Sequence, residues 1–164
     1  MEYIVAISEI VISESGIKPK GKNFFKGKVF NSSNYKIYIL KLGNEYLYVG
    51  KTNRTIGARF GDGFRSYKKK TADETKAAYP YKWIKEYLNQ NKNLKLYVFD
   101  LQPPCEDNHT EAIEAEIVFQ IRLSTDKWPL CQNEIHFFNE FNDFKDAREV
   151  ARKILKQIEN EDYL

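Results

Sequence analysis

The chain has 164 residues, and 26 Lys and Arg against 23 Asp and Glu leave a formal net charge of +3. That length suits one domain with a buried core, and so small a net charge selects no partner. Eleven Tyr and eleven Phe exclude a disordered chain, and no apolar run approaches a membrane span.

In chain order, the β-branched "EYIVAISEIVIS" predicts a strand. Glu2 and Glu9 fall where a signal peptide wants positive charge and unbroken apolarity. "GIKPKGKNFFKGK" has the Gly and Pro punctuation of a loop. "YKIYILKL" and "EYLYVG" predict two strands that pair antiparallel across a tight turn at Gly43-Asn44. "TIGARF" opens a short helix with Thr55 at its N-cap, and "GDGFRSYKKKTADETK" is loop-like. "YPYKWIKEYLNQN" sets Tyr79, Trp83, Ile84, Tyr87 and Leu88 at helical spacing, with Pro80 in the first turn. "LKLYVFDL" predicts a strand, "QPPCEDN" a break, and "HTEAIEAEIVFQIRL" a helix capped by Asn108 or Thr110. "STDKWPLCQN" is irregular and "EIHFF" a short strand. The final helix, "FKDAREVARKILKQIE", is amphipathic, with Phe144, Ala147, Val150, Ile154 and Ile158 on one side.

On the helix after the break, Ile113, Ile117 and Ile121 form an apolar stripe with Val118 at its margin. Glu114 falls inside that stripe and Glu116 well outside it. A carboxylate facing a core is costly unless it is paired or holds a metal. Glu114 is therefore either half of a buried salt bridge, with Arg59 a candidate partner, or a ligand for a hard cation such as Mg²⁺.

The charge is unevenly spread. Ile17 to Lys28 carries five lysines, Lys18, Lys20 and Lys22 among them, and no acid. Lys51 to Lys70 carries seven bases (Lys51, Arg54, Arg59, Arg65, Lys68, Lys69 and Lys70) against Asp62 alone. Phe60, Phe64 and Tyr67 are interleaved with the second set, in the manner of a phosphate-tracking surface with stacking platforms. Either cluster by itself is better explained by a solvated loop. Two of them flanking one hairpin point to nucleic acid.

"KIY", nine intervening residues, "YVGKT" and then Arg59 nine positions past Gly50 resemble the GIY-YIG nuclease superfamily. That family continues with a helix carrying a glutamate before an apolar run, matched by Glu114 in "AIEAEIVFQI". An asparagine beyond a proline follows, matched by Asn133, four residues after Pro129. The resemblance spans Tyr35 to Phe138. Residues 1–34 and the helix 143–160 are additions within a single domain, 1–164. Lys36 departs from the first glycine of the family's name, and Gly63 stands where many relatives have histidine or tyrosine.

The resemblance implies an α/β (α+β) fold, with a small, mainly antiparallel sheet flanked by helices. It implies a Mg²⁺-dependent endonuclease, with Mn²⁺ as a substitute, acting on double-stranded DNA in the cytoplasm. In that scheme Tyr38 is the general base, assisted by Lys51, and Tyr48 orients phosphate or water. Arg59 holds phosphoryl oxygens, with Arg54 a possible replacement. Glu114 is the single metal ligand and Asn133 fixes geometry. Lys51 or Tyr67 stands in for the absent histidine, or activity is reduced. Lys18, Lys20, Lys22, Arg54, Arg65, Lys68, Lys69 and Lys70 supply nucleic-acid contacts. Two other readings compete: an inactive nucleic-acid-binding module on the same scaffold, and a protein-interaction domain. A structural zinc on Cys105, His109, Cys131 and His136 has the right residue types but unspecific spacing.

Overall fold

The computed structural model describes residues 1–70, 82–132, 135 and 144–162. Five strands form one wholly antiparallel sheet in the order β2-β1-β5-β3-β4. β1 (Glu2–Ser13) is the expected first strand. β2 (Gly16–Pro19) forms inside the segment expected to be loop, because Ser13 pairs directly with Gly16 across a two-residue turn. A four-residue edge strand ending in proline has too little alternation to register as a strand in sequence.

β3 (Lys36–Leu42) and β4 (Glu45–Thr52) form the expected hairpin. Its turn has a φ of +57° at Gly43, the first central residue, which suits the right-handed twist of the flanking strands. Leu40 faces Tyr48 whereas Lys41 faces Tyr46, so Leu47 is a β-bulge. The bulge lets Leu47 and Tyr48 both join one core. β5 (Leu94–Gln102) lies between β1 and β3, and its stretch from Leu96 to Leu101 is buried on both faces.

The strands alternate between two cores. Tyr38, Leu40, Leu96 and Val98 face α1 (Lys28–Asn31), α2 (Ile56–Lys70) and α3 (Lys82–Tyr87). Ile37, Ile39, Tyr97 and Phe99 face α4 (Asp107–Thr125) and α5 (Phe144–Asp162). Each large side chain so buried contributes about 1.5–3 kcal/mol before entropic costs.

α2 replaces the loop expected through Lys70. Ile56, Phe60 and Phe64 lie one turn apart and are buried, with Tyr67 packed beside them. That continuous apolar stripe outweighs the propensity cost of Gly57, Gly61 and Gly63. Trp83, Ile84 and Tyr87 of α3 are buried as their spacing implies, while Tyr79 and Pro80 lie outside the described residues.

α4 differs from expectation in two respects. Its N-cap is Glu106 rather than Asn108 or Thr110, and the Thr110 hydroxyl instead donates to the Glu106 carbonyl at 2.9 Å. Glu116, expected on the solvent side, is buried and pairs with Arg148 of α5 at 3.3 Å. The reason is that α4 is covered by the sheet on one side and by α5 on another, so its buried arc is wider than one stripe. Ala147, Val150, Ile154 and Ile158 of α5 are buried as expected. The "EIHFF" strand lies almost wholly outside the described residues.

Candidate active site

The site starts from a missing side chain. Gly50 lies directly opposite Tyr38 in the hairpin. A Cβ on it would sit 2.5 Å from the Tyr38 ring and hydroxyl and 2.8 Å from the Tyr48 ring. Only glycine at this position lets the two phenols lie side by side, with ring centroids 6.0 Å apart. Phe60 packs edge-on against Tyr38 at 5.6 Å and Trp83 lies beside Tyr48 at 6.4 Å, so both rings are wedged in place. The tyrosines are thus core residues, as plain strand packing requires, with hydroxyls directed into a polar setting.

Arg59 supplies that setting. Its Nε donates to the Tyr38 hydroxyl at 3.3 Å. It occupies the first turn of α2, which Thr55 caps as expected by accepting the Ala58 N–H at 3.2 Å. The cation that reaches Tyr38 is therefore Arg59. Lys51, expected to assist that phenol, is bound to Asp107 at the start of α4 at 2.6 Å.

α4 forms the opposite wall. A cleft of about 390 Å³ is lined by Tyr35, Tyr48, Lys51, Arg54, Arg59, Glu111 and Glu114, with Asp107 at its rim. The Glu114 carboxyl is half-buried, and among the described residues it forms no ion pair or hydrogen bond. Its pKa is pushed up to about 8, chiefly by burial, with Lys51 and Arg59 acting against that shift and Glu111 and Asp107 adding to it. Burial also raises the Tyr48 phenol well above its usual value, with Tyr38 and Glu114 adding and Arg59 opposing. The neutral phenol is therefore favoured at Tyr48, and it can donate and accept hydrogen bonds.

The cleft gathers Tyr48, Lys51, Arg54, Arg59 and Glu114, and Tyr38 joins them through Arg59. Asn133 lies outside the described residues. The basic segments do not both flank the hairpin. Lys18, Lys20 and Lys22 lie on or just after β2, at the sheet edge opposite β4, and Lys20 pairs with Glu9 at 3.0 Å. The chain passes from β2 through α1 to β3, across the positions of β1 and β5 in the sheet, which sequence proximity hides. Arg65, Lys68, Lys69 and Lys70 continue along α2 instead of a loop. Arg54 and Arg65 both bind Asp62. Lys68 reaches back to the Glu14 carbonyl at 3.1 Å.

The zinc arrangement fails. Cys105 Sγ lies 3.6 Å from His109 Nδ1, but Cys105 and Cys131 belong to cores on opposite faces of the sheet. His136 lies outside the described residues. Tyr35, Asp107 and Glu111 are cleft residues that sequence reasoning missed. Asp107 and Glu111 precede Glu114 by seven and three positions, so helical spacing puts all three on one face.

Among the described residues no group of three or more His, Cys, Asp or Glu side chains is arranged to hold a metal. A single hard carboxylate does fit Mg²⁺, which keeps several waters and takes one or two carboxylates together with phosphate oxygens. Glu114 meets that condition as a half-buried, unpaired carboxyl facing a cleft. Comparison with protein-family models, curated proteins and solved structures returns no match for this chain. Among the described residues no helix is long and apolar enough to cross a membrane.

Proposed function

We propose that the chain is a divalent-cation-dependent phosphodiester hydrolase of the GIY-YIG type, acting on nucleic acid, with duplex DNA its expected substrate. One observation carries the reading: Tyr48, Arg59 and Glu114 line a single cleft, and the Tyr38 hydroxyl is bonded to Arg59. These groups come from β3, β4, α2 and α4, and simple core packing gives no reason for a carboxyl to join them.

Hydrolysis needs a water oxygen to bond to phosphorus as the bond from phosphorus to the 3′ oxygen breaks. Tyr38 takes the proton of the attacking water. A reference phenol pKa of about 10 makes this difficult, and the Arg59 guanidinium favours the phenolate by donating to its oxygen. Arg59 also has the donor geometry for phosphoryl oxygens. Neutral Tyr48 orients phosphate or water. Glu114 would hold a Mg²⁺ ion, which would supply charge stabilisation to the leaving oxygen. Lys51 opposes the burial-driven rise of the Glu114 pKa, and a cation bound there would favour the carboxylate further.

Gly63, in place of the histidine of many relatives, favours a second reading, a nucleic-acid-binding module without activity. Supercoiled plasmid with Mg²⁺ separates the two. Wild type is expected to nick or cut, and Arg59→Ala and Glu114→Ala to lose at least about a hundredfold in rate. Salt-sensitive binding by all three without any cutting establishes the binding module.

A further inference from the structure

Lys36 occupies the position where the resembled family has glycine, and the chemistry above does not use it. It is wholly buried, which is costly for an ammonium without partners. Its Nζ donates to the carbonyls of Ser32 and Asn34, each at 2.8 Å, and of Arg54 at 3.1 Å. Three donors thus meet three acceptors, the full capacity of the group. Asp100, its cross-strand neighbour on β5, is equally enclosed and supplies the opposing charge. The Asp100 carboxylate in turn accepts from the side-chain amides of Asn34 and Gln102, both at 3.2 Å.

The three carbonyls belong to two backbone segments that form one wall of the cleft. Ser32 and Asn34 lie just before Tyr35, a cleft residue. Arg54 lies in the connection from β4 to α2, which begins after Thr52, carries Asn53, both of them cleft residues, and ends at the cap of the Arg59 helix. The Thr52 hydroxyl secures the same connection by accepting the Arg54 N–H at 3.0 Å.

We propose that Lys36 is a positioning residue, whose ammonium ties the segment before Tyr35 to the β4–α2 connection and so fixes where Arg59 stands. Glycine at this position has no side chain to make any of the three bonds. The kinetic part of the proposal rests on the nuclease reading; the structural part does not.

Two measurements on Lys36→Met, which keeps length and apolar bulk but has no donors, test it. Amide hydrogen exchange in residues 53–59 is expected to quicken about tenfold or more, with β5 and α5 exchanging as in wild type. With a fluorescent duplex and Mg²⁺, single-turnover cleavage is expected to fall about thirtyfold while Kd changes less than about threefold. Lys36→Arg, which keeps donors and charge, is expected to recover part of both. Where Lys36→Met does not fold, Asp100→Asn is the second variant, and a smaller quickening at the same amides is expected. Local loosening in a chain whose wild type cuts nothing removes the nuclease reading and upholds the clamp. Unchanged exchange at 53–59 in either folded variant, or loosening spread evenly over the molecule, overturns it.

Discussion

Gly50 is where a single hydrogen atom decides whether two phenols fit side by side. Gly50→Ala would drive a methyl group into Tyr38 and Tyr48, neither of which has space to retreat from Phe60 and Trp83. A loss of about 1–3 kcal/mol is expected in urea unfolding, together with loss of cleavage. Glu114 makes a second residue-level prediction through its pKa of about 8 against an ordinary 4.5. Between those values the folded chain holds a proton that the unfolded chain has released. The stability from this group is therefore complete below about pH 4.5 and is lost as pH rises through about 8. Without divalent ions, Glu114→Gln is expected to match wild type near pH 4.5 and to exceed it by about 2–3 kcal/mol at pH 9, allowing for cleft water. Added Mg²⁺ should narrow that gap by stabilising wild type alone. At this scale the order of Tyr38, Tyr48, Arg59 and Glu114 is legible in the sequence because their spacing along the chain is itself a pattern. The role of Lys36 is not, since its three acceptors are backbone carbonyls, two of them near in sequence and one beyond the hairpin.

Between elements, the contact of α4 with α5 turns on one charged pair. Arg148→Ala leaves Glu116 buried without its partner. A loss of about 1–3 kcal/mol by thermal or urea unfolding is expected, moderated by the half-exposed arginine. The double substitution Arg148→Met with Glu116→Leu, which removes both charges together, should cost less than the single change. Sequence periodicity puts Glu114 in the stripe and Glu116 outside it, on the assumption that α4 has one covered side. Two covering layers make the phase of one stripe insufficient. α2 escapes sequence reading for a related reason: three glycines signal a loop, while the burial of Phe60 and Phe64 against the sheet is a tertiary fact. The hairpin, β5 and α5 are readable because alternation, a tight turn and a long amphipathic repeat are local properties.

At the scale of the whole molecule, β2 and β4 lie at opposite edges of the sheet, and α2 spans between them, leaving the end of β4 beside the cleft and packing against β2, where Lys68 binds Glu14. If the cleft holds the scissile phosphate, α2 is the nearer track for the backbone that follows. Neutralising Arg65 and Lys69 with Gln is expected to lower the slope of log affinity against log salt by about 1–2. The same change at Lys20 and Lys22 is expected to leave the slope within about 0.5 of wild type. A fluorescence-anisotropy titration of a short duplex at several salt concentrations measures both. Topology of this kind cannot be read from charge counts, because α1 carries the chain from β2 to a hairpin that ends at the opposite edge and α2 carries it back.

The proposed chemistry depends most on a divalent cation settling at Glu114, across the cleft from the tyrosine pair. Mn²⁺ added at substoichiometric levels to the isotope-labelled chain tests this through paramagnetic broadening of amide signals. Selective loss of the Tyr48, Gly50, Glu114 and Ala115 amide signals is expected in wild type, and none of that loss in Glu114→Gln. Broadening confined to other regions, or identical in the two proteins, would contradict it.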